Sequence, residues 1–424
     1  MKLPGATTRV LSSLLLGAVV GLALARWHPD AAATAAAIAQ PIGRLWLSAL
    51  QMTVVPLVLA LVILGVASAA DAATSGRVAR RAMVLFVAML SLFAAYAAIV
   101  APALLSLVPR SEQLAATLAG TAAVATSSGA PSLAEWVSGV IPSNAIMAAA
   151  QGAMLPLVVF ALFFGFALTR VDAERRAHVI GLCHAIADTM IVIVHWVLLV
   201  APVGVFALML AVCAQAGVGV VGALAGYIVL QCGMYIGAML ICYVLVMTLA
   251  RRSPAAFASG ILPAQVVAAS TQSSLASLPA MLESARERLG LPRAVAALVL
   301  PMAVTLFRIT SPVQYIVAAA FVAWAYGIEL TALQLSTGAA LAVVISLGSV
   351  GLPGQVSFMA TVMPVTQAMG LPIEPLGLLL AVDTIPDVFA TTGNVTGSLT
   401  ATSIVTRHSP DARDAEPETP VPSA

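Results

Sequence analysis

The sequence predicts an all-α polytopic membrane protein with two re-entrant hairpins, and three observations carry that prediction. Of 424 residues, 61% are hydrophobic and 8% are charged, with a mean hydropathy of +1.05; a soluble domain carries about 25% charged residues. Apolar runs recur along most of the chain at the length a membrane crossing needs, about 20 helical residues for a core of about 30 Å. Late in the chain, apolar segments are interrupted by polar tips: TQSSLASLP (271–279), LFRITSP (306–312) and SLGSVGLPGQ (346–355). Open backbone is tolerated at membrane depth only where it is buried in protein or lines a watery cavity. Paired broken segments beside intramembrane carboxylates mark a solute-binding site near the midplane.

Taken in order, apolar spans run over 10–26, 45–70, 82–108, 140–169, 179–212 and 218–249. Several are longer than one perpendicular crossing, so tilted helices are expected. Lys2 and Arg9 precede the first span and Ala23-Leu24-Ala25 has the form of a cleavage site, but equally apolar spans follow, so a retained first helix is expected. The first hairpin descends from Ala256, turns at Ser273–Ser277 and returns through Leu278–Leu289. The second enters from Leu333, turns at Gly348–Gln355 and leaves through Val356–Met369, its glycines and Pro353 permitting a tight tip. Half-helices of 10–16 residues span only part of a bilayer. Ordinary long helices with kinks are the alternative.

The final helix is expected over 375–405. Asp383, Asp387, Thr391, Asn394 and Ser398 recur at steps of 4, 4, 3 and 4, which places them on one helical face. Such a stripe faces a cavity or a partner, never lipid. Pro386 frees the carbonyl of Val382, so a kink or an extra ligand oxygen beside Asp383 is expected.

Arginines sort the loops. Arg77, Arg80, Arg81, Arg170, Arg175, Arg176, Arg251, Arg252, Arg286, Arg288, Arg293 and Arg407 fall on the side of Lys2 and Arg9, so both termini are expected in the cytoplasm. The opposite side holds chiefly Arg26, Arg44 and Arg110, and the stretch 110–135 reads as an external loop. The tail 408–424, with four prolines and alternating charge, has too little apolar content to fold.

Composition and spacing also exclude. A net charge of +2 gives no electrostatic footprint for nucleic acid. Cys183, Cys213, Cys232 and Cys242 match no metal spacing and read as small buried hydrophobes. His184, Asp188 and His195 gather no further His or Glu, so no metal site, cofactor or enzyme activity is expected.

Together, QMTVVPLVLALVILGVASAA (51–70), GVIPSNAIMAAAQGAMLPLVVFALFFGFAL (139–168), APVGVFAL (201–208), TQSSLASLPAM (271–281), LPMAVT (300–305), VGLPGQ (350–355) and TTGNVTGSLTATSIV (391–405) resemble the dicarboxylate/amino acid:cation symporters, the glutamate and aspartate transporters among them. The resemblance runs from about residue 10 to 407. It implies eight membrane helices plus two opposed re-entrant hairpins, in a homotrimer working as an elevator. A scaffold of 10–70 and 140–212 would hold a moving part built from 82–108 and 218–405, with hairpins at 256–289 and 333–369. The protein would sit as a multi-pass chain in the cell membrane, the inner membrane if bacterial.

The same resemblance implies roles for single residues. Ser273 and Ser274 fall on the serine-rich tip that meets substrate carboxylate, although the motif's third serine is Leu275 here. Ser311 lies in the same cradle. Asp387 falls on the aspartate that receives the substrate's amino group, and Thr391 and Asn394 on positions that hold its α-carboxylate. Gly351, Pro353 and Gly354 fall on the gate at the second hairpin's tip.

The departures bear on coupling. The Asn-Met-Asp-Gly-Thr stretch of the family reads Phe307-Arg308-Ile309-Thr310-Ser311, its late aspartate is Ser398, and its Thr-Ser pair is Met89-Leu90. Sodium needs several oxygen ligands, and the apolar side chains among these supply none, so a transporter coupled to protons or to no ion is expected. Arg308 then stands in for the missing cation, with Asp383 or Asp387 compensating its charge. The arginine that pairs with acidic substrates in the family is Ala390 here. A secondary transporter of amino acids or small dicarboxylates is the main reading; an uncoupled solute or ion channel, or a membrane sensor that has lost transport, is the alternative.

Overall fold

The computed structural model describes residues 6–74, 76–108, 139–216, 219–348 and 354–407, nearly all of them helical. Three helices open the chain: α1 (Ala6–Trp27), α2 (Pro29–Gln51) and α3 (Val54–Thr74). The long α4 (Arg77–Ser106) follows. After it come the short α5 (Ala145–Ala150), then α6 (Met154–Leu168), α7 (Ala173–Leu199) and α8 (Ala201–Ala216). Next is α9 (Gly219–Leu245), which runs into a π-helical turn at Val246–Ala250.

Among the described residues, six helical stretches are long and apolar enough to cross a membrane, seven if one bent pair counts as a single span. The segmentation differs from the sequence expectation in four places. The second span starts at Pro29, not at 45, because the alanine-rich stretch before Trp46 is also helical; it breaks at Met52–Thr53. The span expected over 140–169 is divided at Gln151–Ala153, and the span over 179–212 at Val200, just before Pro202. The final helix is also divided, as described below.

The first hairpin is α10 (Pro254–Thr271) and α11 (Leu278–Glu283), the latter continued by a π turn at Ser284–Arg288. The two arms pack on each other, and α10 lies along the last helix. Phe257, Ile261, Ala264, Met281, Leu300, Val395 and Leu399 share a separate buried cluster that cements this corner. Then α12 (Arg293–Leu306) and α13 (Thr310–Tyr326) flank a break at Phe307–Ile309. The second hairpin is α14 (Ala332–Gly348) and α15 (Gly354–Ala368), also packed arm to arm. Its tip lies outside the described residues, as do the loop 110–135 and the tail 408–424.

The last span is two helices, α16 (Leu376–Val382) and α17 (Thr384–Arg407), bent by 72° at Asp383. A proline forbids the hydrogen bond to the carbonyl four residues back and crowds it, so Pro386 places the bend upstream of itself, beside Val382. Little of α13, α16 or α17 reaches the surface. In contrast, Leu182, Val192, Trp196 and Leu199 on α7 are exposed, as expected of a lipid-facing helix.

Two close approaches hold the centre together. On α17, a Cβ at Gly393 would stand 2.7 Å from Thr310 Cγ2, and one at Gly397 would stand 2.8 Å from Ile309 Cδ1. Only glycine lets the α12–α13 break come this near. Farther out, α3 meets α14 backbone to backbone: a Cβ at Gly65 would lie 2.6 Å from Gly348 Cα, and one at Gly348 would lie 2.6 Å from the Leu61 carbonyl oxygen.

Candidate functional site

Three interruptions converge: the tip of the first hairpin, the α12–α13 break and the bend at Asp383. At the tip, Thr271 ends α10 and Gln272 takes a left-handed conformation (φ 50°) that a non-glycine residue seldom adopts. Its side chain anchors the strained turn: Gln272 Nε2 donates to the Thr384 carbonyl at 3.3 Å. Ser273 is used within the tip, its hydroxyl accepting from the Ala276 N–H at 3.2 Å and its carbonyl from the Ser277 hydroxyl at 2.8 Å. Ser274 differs. Its hydroxyl is buried, with no hydrogen-bond partner among the described residues, an arrangement that native structures rarely keep without water or a ligand.

The α12–α13 break is pinned by Asn394. Its Oδ1 accepts from the Thr310 N–H at 3.1 Å and the Thr310 hydroxyl at 2.9 Å, capping the start of α13 from a neighbouring helix. The Thr310 hydroxyl also lies 3.2 Å from the Ala390 carbonyl. Ser311 is buried in the first turn of α13, where its N–H donates to the Arg308 carbonyl at 3.0 Å. Thr391 is buried on α17, one turn from Asp387. Asp387 donates its N–H to the Asp383 carbonyl at 2.9 Å, so the two acids sit on successive turns around the bend.

The charges divide between the two carboxylates. Arg308, at the break, acts electrostatically on Asp387. Asp383, buried to 1% exposure, takes Gln314 Nε2 on both carboxylate oxygens at 2.9 and 3.0 Å. Gln314 and Thr310 were not singled out in the sequence. A glutamine facing the membrane interior one turn into α13 was the available signal.

The positions that depart from the sodium-binding pattern are packed with carbon. Phe307 stacks on Phe86 with ring centroids 4.5 Å apart and planes 10° from parallel. Phe307, Ile309, Met89 and Leu90 all belong to the main buried apolar cluster. Ser398 donates back along its own helix to the Asn394 carbonyl at 2.8 Å. Among the described residues no group of three or more His, Cys, Asp or Glu is placed to hold a metal ion. Of the three residues expected at a gate, Gly351 and Pro353 lie outside the described residues, and Gly354 is the first residue of α15.

A polytopic helical protein with a charged, serine-lined junction of broken helices at its centre belongs to the class of membrane transporters. The profile of the sodium:dicarboxylate symporter family matches residues 6–408, and the chain belongs to that family. It is 27% identical to the proton/glutamate-aspartate symporter of Escherichia coli strain K12 over 404 residues, covering 94% of this chain and 92% of that one. It is 30% identical to the C4-dicarboxylate transport protein of Cupriavidus necator over 398 residues (92% and 89%). It is 29% identical to the neutral amino acid transporter B(0) of Bos taurus over 396 residues (84% and 70%). The family and these relatives are transporters of amino acids and dicarboxylates, and this chain is a transporter of that class.

Proposed function

We propose that this chain is a secondary active transporter for a carboxylate-bearing solute, an amino acid or a small dicarboxylate, driven by protons or by no ion instead of sodium. The observation that carries the proposal is the convergence of the first hairpin's tip, the α12–α13 break and the bend at Asp383 around Arg308 and Asp387. A carboxylate entering there meets a guanidinium, which favours planar, two-point recognition. The buried Ser274 hydroxyl is ready to serve a ligand oxygen. Asn394 spends its carbonyl on Thr310, which leaves its NH2 and the Thr391 hydroxyl as donors toward a second carboxylate oxygen. Asp387 is the acceptor for a substrate ammonium. Ala390 removes the family's arginine for acidic side chains, and Arg308 supplies that charge from the adjacent break.

Against sodium stands the packing: Phe86, Phe307, Ile309, Met89 and Leu90 fill the space where oxygen ligands would be required. On this reading α1–α3 and α5–α8 form a fixed scaffold, and α4 with α9–α17 carries the solute as an elevator within a homotrimer. The arginine-rich loops and both termini face the cytoplasm, and in a bacterium the chain lies in the inner membrane.

The test is uptake of labelled L-glutamate, L-aspartate, succinate and L-alanine by proteoliposomes, with sodium and proton gradients imposed separately. Accumulation above equilibrium that persists when choline replaces sodium is the expected result. Uptake that vanishes in choline at fixed pH and potential refutes the coupling. Equilibration without accumulation under any gradient points to a channel.

A further inference from the structure

One buried polar group takes no part in the cradle. Tyr227, Gln231 and Tyr235 recur every four residues on α9 and so lie on one face of it. All three have 0% exposure, in a helix that packs along α17. Among the described residues, the two tyrosine hydroxyls and both polar atoms of the Gln231 amide meet no hydrogen-bond partner. The Gln231 amide lies beside the Tyr235 hydroxyl, short of good hydrogen-bond geometry. Four such atoms in one buried stripe are not explained by packing, since apolar side chains of the same shape fill space without the desolvation cost.

The stripe faces a carboxylate. Asp383 acts electrostatically on both Tyr227 and Tyr235, and Asp387 also on Tyr235. The groups around Asp383 are these two tyrosines and the Cys232 thiol from α9, Gln314 from α13 and Asp387 from α17. Among the described residues no cation acts on Asp383, whereas Arg308 acts on Asp387. A buried carboxylate is made tolerable by a cation or by a proton. Gln314 turns its NH2, not its carbonyl, toward both Asp383 oxygens, which disfavours a metal ion on that side.

We propose that Asp383 is the residue on which the coupling proton is carried, and that Tyr227, Gln231 and Tyr235 form the polar chamber through which that proton is exchanged. The proposal rests on the transport reading above and assigns the ion site that reading leaves open. A proton from solution on one side binds a carboxylate oxygen of Asp383; the new O–H donates into the chamber, where the Gln231 carbonyl and the tyrosine oxygens are unused acceptors. On the other side the same proton returns to solution and no other bond changes. The bend at Asp383 joins the two functions, because the residue that holds the proton sits at the angle from which Asp387 and Thr391 meet the solute.

The test uses full-length protein in liposomes. A pH-jump infrared difference spectrum should contain a carboxylic-acid C=O stretch that is lost in Asp383→Asn and kept in Asp387→Asn. In Tyr235→Phe that stretch should shift, because the acid's surroundings change. Exchange of labelled L-glutamate and succinate should vary with pH in the wild type and lose that dependence in Asp383→Asn; a merely structural role lowers the rate alike at every pH. A stretch that survives in Asp383→Asn, or a wild-type spectrum that responds to sodium and not to pH, overturns the proposal. A wild type that exchanges and accumulates none of the four solutes refutes the transport reading, while the infrared band still decides the proton's address.

Discussion

Replacing Arg308 with methionine removes the cation that faces Asp387 while keeping most of the side chain's volume, so little cavity cost enters. Breaking a fully buried ion pair by deleting one partner costs about 3–5 kcal/mol. Arg308 and Asp387 are each only partly buried, and solvent screening brings the expected cost down to about 1.5–3 kcal/mol. Adding Asp387→Asn removes the stranded charge and should recover at least half of the loss. Adding Asp383→Asn instead should give a sum of the two single effects within about 0.5 kcal/mol, because Asp383 is held by Gln314 and not by Arg308. The assay is equilibrium unfolding of the purified variants in mixed detergent micelles, with both cycles measured at one pH. Additivity in the Arg308–Asp387 cycle refutes the pairing. Equal coupling in both cycles refutes the division of charge between the two acids.

Ser274→Ala should leave stability unchanged or raise it by up to about 1 kcal/mol, since it deletes a buried hydroxyl without a protein partner; it should weaken solute binding about tenfold in a titration on purified protein, and unchanged binding would remove Ser274 from the cradle. Gly393→Ala, whose Cβ would stand 2.7 Å from Thr310 Cγ2, should cost about 1–3 kcal/mol. Gly222→Ala on α9 has nothing within 4 Å of its Cβ and should be neutral or stabilising by up to about 1 kcal/mol in the same melt. Arg176→Ala breaks the bridge to Asp71, but Asp71 is 63% exposed, so unfolding should move by less than about 1 kcal/mol.

Breaks were more legible in the sequence than joins. TQSSLASLP and LFRITSP announce two interruptions because serine, threonine and a charged residue cannot continue an apolar span cheaply, and the helices end at Thr271 and Leu306. Pro386 likewise pointed to Val382, and the bend falls immediately after it. What sequence reading did not supply was which polar group meets which. Arg308 had two candidate acids one turn apart, and only the packing of α13 against α17 hands one of them to Gln314. Asn394 was given a substrate role by the family resemblance, and nothing in the sequence signalled that its carbonyl also caps a helix 84 residues away along the chain. The stripe Tyr227–Gln231–Tyr235 was visible in principle as a four-residue polar period inside an apolar span. It was overlooked because tyrosine passes for an apolar residue when hydropathy is averaged. The helix from Pro29 was missed for a related reason: alanine favours helix strongly but scores weakly as membrane-grade.

The backbone contact between Gly65 of α3 and Gly348 of α14 has a mechanical meaning if one of these helices belongs to a fixed frame and the other to a travelling part. Side chains on facing helices interlock as ridges and grooves, and a helix can pass its neighbour only by climbing out of one groove into the next. Where both surfaces are bare glycine there is no ridge to climb, so the contact behaves as a smooth bearing, and a single methyl added at either position would act as a brake. Gly348 is also the last residue of α14 before the second hairpin's tip. If the second hairpin is the gate of such a carrier, the bearing would lie at the gate's root, and the travel of the carrier and the opening of its door would press on the same few atoms of α3.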